Sequence, residues 1–170
     1  MSARSNHTMN NNIDTLHDVS CFVGALASAS EKNLGQGSLS ICALAGKKFG
    51  AEVVDETSEE TDPLTAIRLL SEALAAKGIV WEFEPFAGAQ EDAVTTEGTK
   101  QKIRLVFHTC MVRNALFRYG HEQKLSLCYM SHGVFAGALE KILKGKKATL
   151  EIIHAGPNGC LKELVLEDLQ

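Results

Sequence analysis

"KATLEIIHAGPNGCLKELVLE", residues 147–167, sets two apolar-rich runs on either side of Gly156-Pro157-Asn158-Gly159. Alternation with period 2 gathers one set of side chains on one strand face. Pro fixes φ and Asn-Gly tolerates positive φ, so the stretch reads as an antiparallel β-hairpin. The turn needs only its four central residues. Glu151, His154 and Cys160 are therefore surplus to folding and ask for a second explanation.

Ahead of the hairpin, "KLSLCYMSHGVFAGALEKILKG" at 124–145 is apolar over a broad face and ends in Gly, which predicts a mostly buried helix. Its Gly133 and Gly137 sit one turn apart and could admit a neighbouring helix or a ligand. A short helix is expected over "MVRNALFRYG". "KIRLVFHTC" reads as a strand with Ile103, Leu105 and Phe107 on one face and Arg104, Val106 and His108 on the other. "IVWEFEPF" is a further strand, alternating over Val80 to Phe83, and the polar "AGAQEDAVTTEGTK" between the two is expected to be a loop.

The clearest helix is "DPLTAIRLLSEALAAKG". Asp62 suits its N-cap, Pro63 its first turn and Gly78 its stop, with Leu64, Ile67, Leu70 and Leu74 as the buried stripe. "SLSICALAGKKFGAEVV" makes an earlier helix in which Gly46 and Gly50 allow close approach of another backbone. A first helix begins near Leu16, with Val19, Phe22, Val23 and Leu26 on one face, and breaks at "NLGQG". Residues 1–12 are Asn/Ser-rich and read as a disordered tail before one domain at 13–170. The fold class expected is α+β: a twisted, mainly antiparallel sheet of about four strands packed against about five helices.

At 170 residues and 45% hydrophobic content, the chain can bury a core without disulfide staples. A net charge of -4, from 17 basic and 21 acidic residues, leaves no electrostatic footprint for nucleic acid. No apolar run approaches the roughly 20 residues that span a bilayer, and the polar start lacks a signal-peptide pattern, so a cytoplasmic protein is expected. Five irregularly spaced cysteines point to thiols or metal ligands rather than to disulfides. No internal repeat or Gly-rich phosphate loop is evident.

Cys128 lies on the long helix and can converge with Glu151, His154 and Cys160 of the hairpin. Two thiolates, an imidazole and a carboxylate suit tetrahedral Zn²⁺ in a closed, structural site. The spacing lacks paired C-x-x-C knuckles, and cysteine is also among the residue types most often buried for packing alone.

At these residues the chain resembles the 4-vinyl-reductase-like domain family of small-molecule-binding and sensor domains. The similarity runs from about "NLGQGSLSICALAGKKFG" to "ELVLE" and is most specific in "CYMSHGVFAGALEKIL…ATLEIIHAGPNGC". In sensor members the corresponding positions bind zinc. Cys128 matches the helix Cys, Glu151 the Glu and Cys160 the final Cys, with His154 where the family often has Cys; the loop to Cys160 is slightly short for the pattern.

The family also resembles TRAPP trafficking subunits in fold, which implies an apolar pocket between sheet and helices and frequent dimerisation. The candidate lining is Trp81, Phe83, Phe107 and His108 on the strands, with Tyr129, His132, Gly133, Phe135 and Gly137 on the long helix. Such a pocket binds through its walls and orients through one or two polar groups, and His108 or the Trp81 indole could donate to an oxygen on the guest. Core packing is the competing reading of each aromatic residue.

Cys110 beside His108 could be an activated thiolate, but nothing supplies a third, orienting group, and a buried thiol is the plainer reading. Lys102, Arg104, Arg113 and Arg118 form a positive cluster that could hold the acidic tail of a ligand or simply face solvent. The function expected is therefore non-catalytic binding of a small hydrophobic or aromatic molecule by a homodimer, with a regulatory protein partner for any output. The alternatives are an enzyme or accessory factor of tetrapyrrole metabolism, which would need an outside electron donor, and a structural interaction module.

Overall fold

A computed structural model describes residues 3–88, 92–113 and 122–169, with side chains described from residue 17 onward. The elements run α1 (Ala3–Leu34), α2 (Gln36–Val53), α3 (Pro63–Ala76), β1 (Trp81–Pro85), β2 (Val94–Glu97), β3 (Lys100–Cys110), α4 (Ser126–Ile142), β4 (Lys146–Ala155) and β5 (Cys160–Asp168). The fold is α+β, as expected. Its antiparallel sheet has the order β1-β3-β5-β4, with β2 pairing β3 along the edge that β1 also occupies. Among the described residues no helix is long and apolar enough to cross a membrane.

The hairpin of β4 and β5 forms where its alternation places it, but Asn158 and Gly159 do not use positive φ. The turn closes instead through a bond from Gly156 N–H to Gly159 O at 2.9 Å. β3 shows the predicted alternation: Ile103, Leu105 and Phe107 are buried, while Arg104 and His108 are exposed. α3 starts and stops as its sequence dictates. Asp62 accepts from Thr65 N–H at 2.7 Å, and Gly78 leaves the helix at φ +73°.

Three expectations need correction. The polar segment expected to be a loop contains β2, which pairs with β3 across Gly98 at φ +61°. Its strand carries Thr95, Thr96 and Glu97, whose polar side chains suit an exposed edge and show no apolar period. The helix α1 takes in positions 3–12, which composition had left as a tail; once a helix is nucleated, each added residue gains a backbone bond. The apolar face of α1 is also less covered than its periodicity implies, with Phe22 72% exposed. The short helix predicted from Met111 is helical at 111–113, and its remainder lies outside the described residues.

The core lies between one face of the sheet and α3 and α4. Leu70 and Leu74 of α3, Phe135 and Leu139 of α4, and Leu105, Phe107 and Leu164 of the sheet are all buried there. Behind α4 lies α2, and the two cross at glycines. A Cβ on Gly46 would stand 2.0 Å from Met130 O, and one on Gly50 2.0 Å from Val134 O. On the other helix, a Cβ on Gly133 would stand 2.1 Å from Ala43 O and one on Gly137 1.9 Å from Lys47 O. The two backbones are thus in direct contact, which no residue larger than glycine permits at these four places.

Gly137→Val is accordingly expected to destabilise the fold by about 3 kcal/mol or more, measured by urea denaturation. Gly37→Ala is the control. The nearest atom to its new Cβ is Leu34 Cβ at 3.8 Å, and the change should be neutral or stabilising by up to ~1 kcal/mol.

Candidate functional site

The α2–α4 crossing leaves a partly open apolar cavity on one flank, bordered by α1 and the start of β1. Its volume is about 330 Å³, and Phe49, Trp81, Val112, Met130, Ser131 and Val134 contribute to its wall. Trp81 reaches it because β1 starts just after the Gly78 turn, and its register opposite Cys110 fixes the indole at the sheet margin. The ring packs against Phe135 with centroids 5.6 Å apart, and the residue is 6% exposed. Its Nε1 donor has no hydrogen-bond partner. A buried polar group left in this state costs about 1–3 kcal/mol, and Trp81 borders both this cavity and the hollow beside His108.

Of the other predicted lining residues, Phe83, Phe107 and Phe135 pack on one another. Centroid separations are 5.2 Å for Phe83–Phe107, 4.7 Å for Phe83–Phe135 and 5.2 Å for Phe107–Phe135, so these rings form core. His108 is exposed and meets Glu84 at 2.9 Å beside a shallow hollow that Phe83 also borders. Gly137 and Gly133 are spent on the contact with α2. Tyr129, His132 and Gly133 line a separate, open cleft between α2, α4 and β4, together with Lys47, Glu140 and Glu151. The Lys47–Glu140 ion pair at 2.6 Å lies on the rim of this cleft, whose lining also includes Ala43, Leu44, Leu150 and Ile152.

The expected zinc ligands are not assembled. Among the described residues no group of three or more His, Cys, Asp or Glu side chains is placed to hold a metal ion. Glu151 and His154 are exposed on β4, and His154 lies over the Gly156 turn, where Nε2 would be 3.2 Å from an added Cβ. The bulge between Ile152 and His154 leaves Glu151 and His154 on the outward face, opposite Glu163 and Leu161, whereas Cys160 belongs to the inward series of β5. Cys128 and Cys160 do share a neighbourhood, but their company is cationic: Arg113 Nη1 is 3.9 Å from Cys160 Sγ, and Lys162 interacts electrostatically with Cys128, Cys160 and Cys110.

Lys162 went unremarked in the sequence, although alternation announces it. Cys160, Lys162, Leu164 and Leu166 share the inward face of β5, so a lysine occupies a core position and is 3% exposed. Its Nζ sits 4.4 Å from the centroid of the Phe107 ring and 3.5 Å from Ser131 Oγ. Burial pushes its pKa below the ordinary lysine value, the nearby thiols oppose that shift and Arg113 adds to it. Burial likewise raises the Cys128 thiol, which favours its protonated form.

The predicted positive cluster is dispersed. Lys102 pairs with Glu97 at 2.6 Å, Arg104 is exposed, and Arg118 lies outside the described residues. Arg113 is 6% exposed and donates to the carbonyl oxygens of Phe107, at 3.3 Å, and His108.

No protein-family model and no curated protein sequence matches the chain. Its structure is similar to the solved phenol-responsive sensory domain of the transcription activator PoxR, crystallised with phenol. The TM-score is 0.60 at 14% identity, with 87% of this chain and 74% of that chain covered. The likeness shows that the two share a fold.

Burial also governs His132, whose pKa is lowered to about 3 by desolvation, with a smaller contribution from Lys162. The folded chain therefore keeps the imidazole neutral where the unfolded chain protonates it. Stability from this group is full above pH ~6.5 and falls as pH drops from there towards 3, with a slope approaching 1.4 kcal/mol per pH unit. Denaturation midpoints across pH 4–8, compared between wild type and His132→Phe, check this; the variant should lack that share of the slope.

Proposed function

We propose that the chain binds a small hydrophobic molecule in the cavity of about 330 Å³ beside α4, and that it acts as a non-catalytic, sensor-type domain. The observation that carries this reading is the Trp81 Nε1 donor, buried and unpartnered on an otherwise apolar wall. Apolar contacts supply the affinity, and the indole N–H fixes the orientation of an acceptor on the guest. The shared fold with a phenol-responsive sensory domain supports the reading, as does the resemblance to 4-vinyl-reductase-like sensor domains. The site is built by α1, α2, α4 and β1, and any output would pass to a partner through the helices that enclose the guest.

Trp81 is the single tryptophan of the chain, so its fluorescence reports directly on the cavity. Titration with 4-tert-butylphenol should give a saturable change in intensity. Calorimetry on Trp81→Phe, which keeps the ring contact with Phe135 but loses the donor, should show binding weakened about 5–10-fold, the worth of one neutral hydrogen bond. A linear, non-saturating response in wild type would remove the cavity reading.

A further inference from the structure

The cavity wall has a charged backing. Ser131 forms part of the wall, and its hydroxyl lies 3.5 Å from the buried ammonium of Lys162. Val112, also on the wall, is the chain neighbour of Arg113. Lys162 and Arg113 are 3% and 6% exposed and interact with each other electrostatically, so two cationic side chains lie together in the interior, the lysine directly against Ser131 of the wall.

Neither has an anionic partner among the described residues. Lys162 has a hydroxyl, an aromatic face and three surrounding thiols; Arg113 has two backbone carbonyls and the Cys160 sulfur. Buried charges are ordinarily paired, because an uncompensated one forfeits its hydration with nothing in return. An apolar methionine would fill a β5 core position at less cost, so the lysine needs a reason to be there.

Resting on the cavity reading above, we propose that the ligand is an organic monoanion: a small apolar body with a carboxylate or phenolate head, seated with that head at the Ser131 end and neutralised by Lys162, with Arg113 adding to the local positive potential. The apolar wall takes the body, and the head replaces the counterion that the fold withholds. A single negative charge suits a space of about 330 Å³ whose polar anchors, among the described residues, are Ser20, Ser131 and Trp81.

The test uses two probes of equal shape, 4-tert-butylbenzoate and 4-tert-butylbenzamide, titrated calorimetrically into wild type and Lys162→Met. Wild type should bind the carboxylate about 30-fold or more tighter than the amide, the scale expected when one side of a buried charge pair is missing. In Lys162→Met that ratio should fall towards one, with amide affinity little changed and the melting temperature raised. Equal binding of both probes by wild type would overturn the anionic ligand while leaving the cavity standing. Binding of neither would overturn both readings. A carboxylate preference that persists in folded Lys162→Met would remove the lysine from its role. Were that variant not to fold, the wild-type ratio alone decides, and a value near one overturns the proposal.

Discussion

The contact between the backbones of α2 and α4 sets the rest of the molecule. Gly46 and Gly50 on one helix and Gly133 and Gly137 on the other bring main-chain atoms to distances at which any Cβ would overlap a carbonyl oxygen. Each glycine in a helix interior costs about 1 kcal/mol of propensity relative to alanine, so four of them amount to a substantial local concession. Close packing is the return. With α2 drawn this near, α4 is held against the sheet over its whole length, and Val134, Phe135, Ala138 and Leu139 are 2% exposed or less.

A helix held between a sheet and a second helix has little freedom to shift, so residues on its sides are positioned by packing on every face. That rigidity decides where the cavity can be. α4 turns Phe135 and Leu139 to the sheet and its glycines to α2, which leaves Met130, Ser131 and Val134 to face the flank where α1 and β1 approach. α1 itself is tied to the body by polar contact. The Glu31 carboxylate accepts from the backbone N–H of Ser126 at 2.9 Å and from its hydroxyl, an anion seated at the N-terminus of α4. The wall that α1 provides is thus anchored at one end and is otherwise weakly buried, with Val19 55% and Val23 41% exposed.

Local rules made most of the fold readable. Period-2 alternation in β3, β4 and β5, the Asp62 cap and the Gly78 stop each act within a few residues, and each is met in the structure. β2 escaped because an exposed edge strand buries no face and so leaves no apolar period to detect. The candidate site was legible only in part, for a different reason. Trp81 carried its own signal as a lone large donor in an apolar strand, but its companions Met111, Val112 and Met130 look like ordinary apolar residues, and only the tertiary crossing of helices decides that they line a space. Phe83, Phe107 and Phe135 look the same in sequence and are core.

At the hairpin, neighbouring ligand-type residues are not gathered into a metal-holding group among the described residues, and the reason is geometric. Glu151, His154 and Cys160 are close in sequence, yet the bulge at Ile152/His154 leaves Glu151 and His154 on the outward face while Cys160 joins the inward series of β5, so proximity along the chain does not become convergence in space. The same alternation, followed one strand further, picks out Lys162 as the charged member of an inward series otherwise made of Cys160, Leu164 and Leu166. The thiols of Cys110, Cys128 and Cys160 have the Lys162 side chain beside them, with the Arg113 guanidinium against Cys160. The charge wanted there is consequently negative: cations supplied by the protein leave room for an anion to be supplied from outside, and the apolar cavity on the far side of Ser131 is the space adjoining them.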